Sequence, residues 1–229
     1  SLAVEEQFYL VAPPLVRFLS LRRLAIVLSA TVIAIPFVRW AIILYWPSGG
    51  DVAYLALPCR ADSLALGVLS ALAWRTESVR SWLASHRREL RIGLLALSVG
   101  VLVLLKWSPD PYSRVTQTLG YSLLAFFYCA MMLTALLEKD GWVARCMRFR
   151  ALRELGSISY CVYLIHLLVL VACHRLLLGA SPRFNDLPGA ATTLLAFVLT
   201  CTIARFSWVY FEQPLIQRGH SYKYWLREA

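Results

Sequence analysis

The chain has 229 residues, 59% hydrophobic and only 16% charged, with mean hydropathy +0.63 and net charge +10. Soluble domains run nearer about 45–50% apolar and about 25% charged, so a soluble globular domain is excluded and most of the surface must face lipid or other lipid-embedded helices. The positive charge is spread over short connectors instead of gathered on one face, which excludes a nucleic-acid surface and reads as membrane topology.

A bilayer core about 30 Å thick needs about 20 apolar residues per helix. On that measure the fold class is all-α, a polytopic transmembrane helix bundle of about seven spans. The first runs from Leu2 to Leu19, with Glu5 and Glu6 near its start and Pro13-Pro14 in its middle. The second, Leu24 to Trp46, contains Pro36 and Arg39, and the third, Pro58 to Trp74, is short and opens on Arg60 and Asp62. The fourth and fifth are Ile92 to Trp107 and Thr116 to Leu137. The sixth, Ile158 to Leu178, holds His166 and His174, and the seventh, Ala190 to Phe211, holds Arg205. The first and third carry charge that partner helices would have to hide.

Alternate connectors hold the cations unequally. One set has Arg17, Arg22, Arg23, Arg75, Arg80, Arg87, Arg88, Arg91, Lys139, Arg145, Arg148, Arg150, Arg153, Arg218, Lys223 and Arg227; the other has Lys106, Arg114, Arg175 and Arg183. Sixteen against four is a strong positive-inside bias. It supports seven crossings and places the C-terminus in the cytoplasm, with Ser1 on the far side. The connector from Arg75 to Arg91 and the Tyr222-Lys223-Tyr224-Trp225 tail are expected to hold short interfacial helices. The six cysteines show no metal-ligand spacing and read as small buried hydrophobes. No metal site is expected. The chain has no initiator Met and opens inside an apolar segment, so it is expected to be part of a longer protein.

An ionisable group inside a span is a functional candidate by default. Glu5 and Glu6 point about 100° apart on a helix, and Tyr9 lies one turn beyond Glu5. They read either as a general base or cation-orienting pair, or as acids at a helix start. Arg60 could clamp an anionic group or pair with a carboxylate on another helix. Tyr160, Tyr163 and His166 form a polar-aromatic stripe; His166 could be an acid, a base or a nucleophile, or a core histidine donating to a carbonyl. Arg39 shares its depth with Glu5, Glu6 and Asp62 and could pair with one of them, the alternative being snorkelling to the interface. Arg205 is read as structural and snorkelling, and Glu212 before Pro214 as a helix terminus.

Four segments resemble, in order, the motifs of the bacterial acyltransferase 3 family of integral-membrane O-acyltransferases. Ser1 to Leu10, SLAVEEQFYL, is similar to its SLxVEEQFYL signature; Arg60 to Gly67 to its RxDxLxxG segment; Ser159 to His166 to its SYxxYLIH segment; and Phe211 to Pro214 to its closing FExP. The resemblance makes residues 1–214 the later portion of that membrane domain and 215–229 a cytoplasmic tail. It implies about ten spans in the family domain, with early His and Arg motifs that fall outside this chain, so the chain is expected to be inactive alone. It also implies transfer of an acyl group, commonly acetyl, from acyl-CoA to a hydroxyl of a carbohydrate or lipid-linked glycan, in a bacterial inner membrane. Acyl-CoA is then a donor substrate, and no bound cofactor is expected. Under this resemblance Glu5, Arg60 and His166 are the candidate catalytic residues. Glu6, Tyr9, Arg39, Asp62, Tyr160 and Tyr163 are candidates for substrate binding. Two rival readings keep the buried charges without the chemistry: a glycan or acyl-donor transporter or flippase, and a non-catalytic membrane scaffold.

Overall fold

The architecture follows from where the apolar runs break. A computed structural model describes residues 2–46, 52, 56–110 and 112–221, with Leu2, Ala3, Glu5, Leu57, His220 and Ser221 described in their backbone only. Among these residues the regular structure is entirely helical. The helices are α1 (Leu2–Phe18), α2 (Leu21–Tyr45), α3 (Leu57–Arg75), α4 (Glu77–Ser85), α5 (Arg87–Trp107), α6 (Tyr121–Leu137), α7 (Trp142–Met147), α8 (Arg150–Leu178), α9 (Leu187–Ser207) and α10 (Gln213–Ser221). Two π-helical turns, Thr116–Gly120 and Trp208–Glu212, lead into α6 and α10. The chain divides into two compact units, Ser1–Cys146 and Met147–Ala229.

Five helical segments among the described residues are long and apolar enough to cross a membrane: Leu21–Tyr45, Arg87–Trp107, Thr116–Leu137, Arg150–Leu178 and Leu187–Gly219. The expected first and third spans are not among them. The helix α1 has 17 residues and α3 has 19, and α3 spends its first turns on Arg60 and Asp62. The connector after α3 does hold a short helix, α4, with Trp82 exposed on it. The Tyr222 to Trp225 tail lies outside the described residues.

In the first unit α3 lies antiparallel along α2. Leu24, Leu28 and Val32 of α2 pack on Ala65 and Leu66 of α3, with Leu15, Leu19, Ala125 and Cys129 at the margin. Ser20 caps α2 by accepting from the Arg23 amide at 3.4 Å. The helices α5 and α6 pack through glycines. An added Cβ on Gly100 would meet Leu123 at 3.3 Å, and one on Gly120 would meet Leu104 at 2.9 Å. Small residues allow such close approach of membrane helices. At the far end of the same pair, Arg91 Nε lies 3.3 Å from Glu138 Oε1. That contact joins the start of α5 to the end of α6, as antiparallel neighbours allow.

In the second unit α8 packs on α9. Gly189, Thr192, Ala196, Thr200 and Ala204 form a buried stripe of small residues on α9, and Ile158 and Cys161 of α8 close on Ala204. The Thr200 hydroxyl donates to the Ala196 carbonyl at 2.7 Å, which keeps it satisfied in an apolar interface. Gly179 ends α8 at φ 60°, the left-handed position that glycine takes freely. Asp186 starts α9 by accepting from the Gly189 amide at 3.1 Å.

Three expectations need correction. The helix α8 begins at Arg150, not at Ile158, because a polar helical extension precedes the apolar run. Glu212 does not end a helix. The π-helical turn carries the chain on through Pro214 into α10, and Glu212 accepts from the Ser207 hydroxyl at 2.8 Å. Cys146 is exposed, whereas Cys59, Cys161 and Cys173 are buried as expected.

Candidate functional site

Arg39 lies near the end of α2 and Asp62 near the start of α3, so antiparallel packing brings them level. Both are fully buried. Arg39 Nη2 donates to Asp62 Oδ2 at 2.9 Å and Nη1 to Oδ1 at 3.3 Å, the two-pronged geometry that suits guanidinium and carboxylate. Nη1 also donates to the Cys59 carbonyl at 3.0 Å and Nη2 to the Thr118 carbonyl at 3.2 Å. Ser122 completes the cluster, accepting from Arg39 Nη2 and donating to Asp62 Oδ2 at 2.6 Å. Arg39 Nε is buried with no hydrogen bond among the described residues. Arg39 therefore does not snorkel: burial with a paired carboxylate and two carbonyls replaces the interface it would otherwise seek.

The π-helical turn matters here. It widens the helix by one residue over Thr116–Gly120. Within that stretch the Thr118 carbonyl receives Arg39, and Ser122 follows one turn later.

Arg60 stands two residues before Asp62 on α3 and is half-buried. Its guanidinium carbon lies 4.7 Å from the centroid of the Tyr121 ring, and that of Arg39 lies 5.7 Å from the same ring. Tyr121 thus carries two cations on its π system. Each such contact contributes roughly 0.5–2 kcal/mol according to its desolvation.

The remaining candidates of the first unit are on α1. Glu6 and Tyr9 are exposed. The Glu5 side chain lies outside the described residues.

In the second unit His166 sits half-buried on α8. Its Nδ1 is 2.7 Å from the Tyr163 carbonyl. In neutral imidazole that contact is a hydrogen bond only if Nδ1 carries the proton, which leaves the Nε2 lone pair open to accept one. The Tyr163 and His166 rings are 5.9 Å apart, and Tyr160 and Tyr163 are both exposed. His166 lines a groove of about 150 Å³ between α8 and α9, with Leu170, Thr193, Phe197 and Thr200 among its walls. An adjoining recess of about 460 Å³ adds Ser159, Tyr163 and Cys201.

Four participants were not singled out from the sequence: Thr118, Tyr121, Ser122 and His174. Thr118 ends a polar run, Thr116-Gln117-Thr118, and Tyr121 and Ser122 follow it; the run hints at an unusual span start but not at its partners. His174 is fully buried in α8, its Nε2 3.0 Å from the Thr193 hydroxyl. An ionisable residue in an apolar run was the available signal. Among the described residues no group of three His, Cys, Asp or Glu side chains is placed to hold a metal ion.

Comparison with known proteins places this geometry in context. A family model described as an acyltransferase domain matches residues 1–209. The chain is 28% identical over 230 residues to "Putative peptidoglycan O-acetyltransferase YrhL" of Bacillus subtilis (strain 168), covering 96% of this chain and 34% of that protein. It is 22% identical over 225 residues to "O-acetyltransferase OatA" of Staphylococcus aureus (strain NCTC 8325 / PS 47), covering 96% of this chain and 36% of that protein. The chain thus spans about a third of the length of the curated relatives it matches. No solved structure matches it significantly.

Proposed function

Because the chain belongs to this acyltransferase-domain family, we propose that it forms part of a membrane O-acyltransferase that moves an acyl group, commonly acetyl, from acyl-CoA to a hydroxyl of a carbohydrate or glycolipid. The name of one relative, a putative peptidoglycan O-acetyltransferase, favours peptidoglycan as the acceptor. We also read α1 and α3 as completing seven crossings in a bacterial inner membrane with the C-terminus and residues 215–229 in the cytoplasm.

The chemistry needs a base for the acceptor hydroxyl, a partner for anionic groups and a route for the leaving thiolate. His166 is the base in this reading: its open Nε2 takes the hydroxyl proton as the oxygen attacks the thioester carbonyl, and the departing CoA sulfur is then reprotonated. Tyr163, which lines the adjoining recess, and the exposed Tyr160 on the same helix are the substrate contacts. Arg60, held on Tyr121, binds an anionic group of donor or acceptor. Both Nη groups of Arg39 and both carboxylate oxygens of Asp62 are taken up by protein partners at zero exposure, so the pair acts by positioning α3 and not by touching substrate. Glu5 orients or activates a catalytic group, with Glu6 and Tyr9 beside it on α1.

The observation that carries this reading is the buried Arg39–Asp62–Ser122 cluster beneath Arg60. Burying two charges in a membrane protein is costly, and a purely structural helix contact would be made more cheaply with apolar side chains. The test is O-acetylation by the whole protein carrying Glu5→Gln, Arg60→Ala or His166→Ala. Normal activity at normal expression removes that residue from its proposed role. Turnover of labelled acetyl-CoA in detergent separates an enzyme from a transporter or scaffold.

A further inference from the structure

The exposed side of α5 carries a pattern that the proposed acyl transfer does not use. Taking about 100° per residue, Arg88, Ile92, Leu95, Val99, Leu102 and Lys106 fall within about 40° of one line along the helix. All six side chains are exposed. The opposite side packs on α6, with Leu94 buried and Gly100 against Leu123. From Arg88 to Lys106 the stripe is about 27 Å long at about 1.5 Å per residue, close to the thickness of a bilayer core of about 30 Å. The apolar stretch therefore runs from one interface to the other, with a cation at each end.

The two ends differ. Lys106 is a single charge, but Arg88 is joined by Arg91, and these two with Ile92 and Leu95 line a groove of about 400 Å³. Arg91 Nε leans on the Arg87 carbonyl at 3.4 Å and on Glu138. Arg88 makes no hydrogen bond or ion pair among the described residues. Glu89, the next acid along the chain, points about 100° away from Arg88. The groove thus joins a guanidinium pair at headgroup depth to an apolar track leading into the membrane.

We infer that this groove is a binding site for one anionic phospholipid, its phosphate on Arg88 and Arg91 and an acyl chain along Ile92, Leu95, Val99 and Leu102. Charge complementarity selects the anionic headgroup. The apolar track selects a lipid over a soluble phosphate. The inference is independent of the acyltransferase reading, because it concerns an outward face and no reacting group.

The test is made on the whole protein in nanodiscs of phosphatidylcholine mixed with phosphatidylglycerol, counting lipids retained after mild delipidation by native mass spectrometry. The wild type is expected to retain phosphatidylglycerol preferentially. Arg88→Gln, which breaks no contact within the described fold, should lower that preference about fivefold, and Arg88→Gln with Arg91→Gln about 20- to 30-fold. Leu95→Trp, which fills the track without changing charge, should lower retention too, while Lys106→Gln should not. Equal retention by Arg88→Gln or by Leu95→Trp overturns the site. Displacement by glycerophosphoglycerol or inorganic phosphate as effective as that by phosphatidylglycerol also overturns it, since the groove would then read phosphate alone.

Discussion

Arg39 and Asp62 are 23 residues apart in sequence, and their side chains meet through paired contacts of 2.9 and 3.3 Å at zero exposure. Removing either partner leaves the other charged and buried. Arg39→Met or Asp62→Leu should each destabilise the protein by about 3–5 kcal/mol. The double substitution should cost clearly less than the sum, because it removes both desolvation penalties together. Melting in detergent, arranged as a double-mutant cycle, measures the difference; strict additivity would show that the pair is not the unit described.

Arg60 depends on Tyr121 in a way that chemistry can separate. Tyr121→Phe keeps the π face and should leave acetylation close to wild type. Tyr121→Leu removes the face and should raise KM, with a smaller effect on kcat, because it disturbs a binding group. Steady-state kinetics on donor and acceptor separately tell which ligand Arg60 serves.

His166 is the proposed base of the reaction. As a general base it should supply about 10²- to 10⁴-fold in rate. His166→Ala should therefore reduce kcat by that range at unchanged expression and melting temperature. His174→Ala should instead lower the melting temperature, because His174 is fully buried and joined to Thr193 across the α8–α9 interface.

Gly189 tests the packing at the start of α9. A Cβ there would lie 2.5 Å from Asp186 Oδ1 and 2.6 Å from the Arg183 carbonyl oxygen, both closer than real contacts allow. The carbonyl is backbone and cannot swing aside. Gly189→Ala should cost about 1–3 kcal/mol and undo the Asp186 cap, which a melting curve of the whole protein would register.

The hydropathy pattern located the five long spans and their order, since apolar length is a local property. It also put Arg39 and Asp62 at one depth, because alternating charge fixes the direction of each helix and thereby the level of every residue on it. It could not choose Asp62 over Glu6 as the partner, since that depends on which helix lies beside α2. Nor could it reach Ser122 and Thr118. The π-helical turn, which contains Thr118 and precedes Ser122, adds a residue to the helix and shifts the phase on which any facing argument rests. His166 was visible as a polar interruption, yet its open nitrogen is set by a carbonyl of its own helix, a detail of geometry with no trace in composition.

The buried pair also constrains the order in which the protein can be built. As α3 leaves the ribosome it carries Arg60 and Asp62 in its opening turns and is too polar to settle in lipid by its own hydrophobicity. Arg39 is already present on α2, but the Ser122 hydroxyl and the Thr118 carbonyl are synthesised some 60 residues after Asp62. Until α6 arrives, the pair lacks part of its shell and α3 has an open flank. Insertion of this region is therefore a delayed step, in which α3 waits at the interface or beside α2 for a later helix to seal it. Substitutions at Thr118 or Ser122 would then be felt first as failed membrane integration and degradation, before any enzyme exists to be assayed.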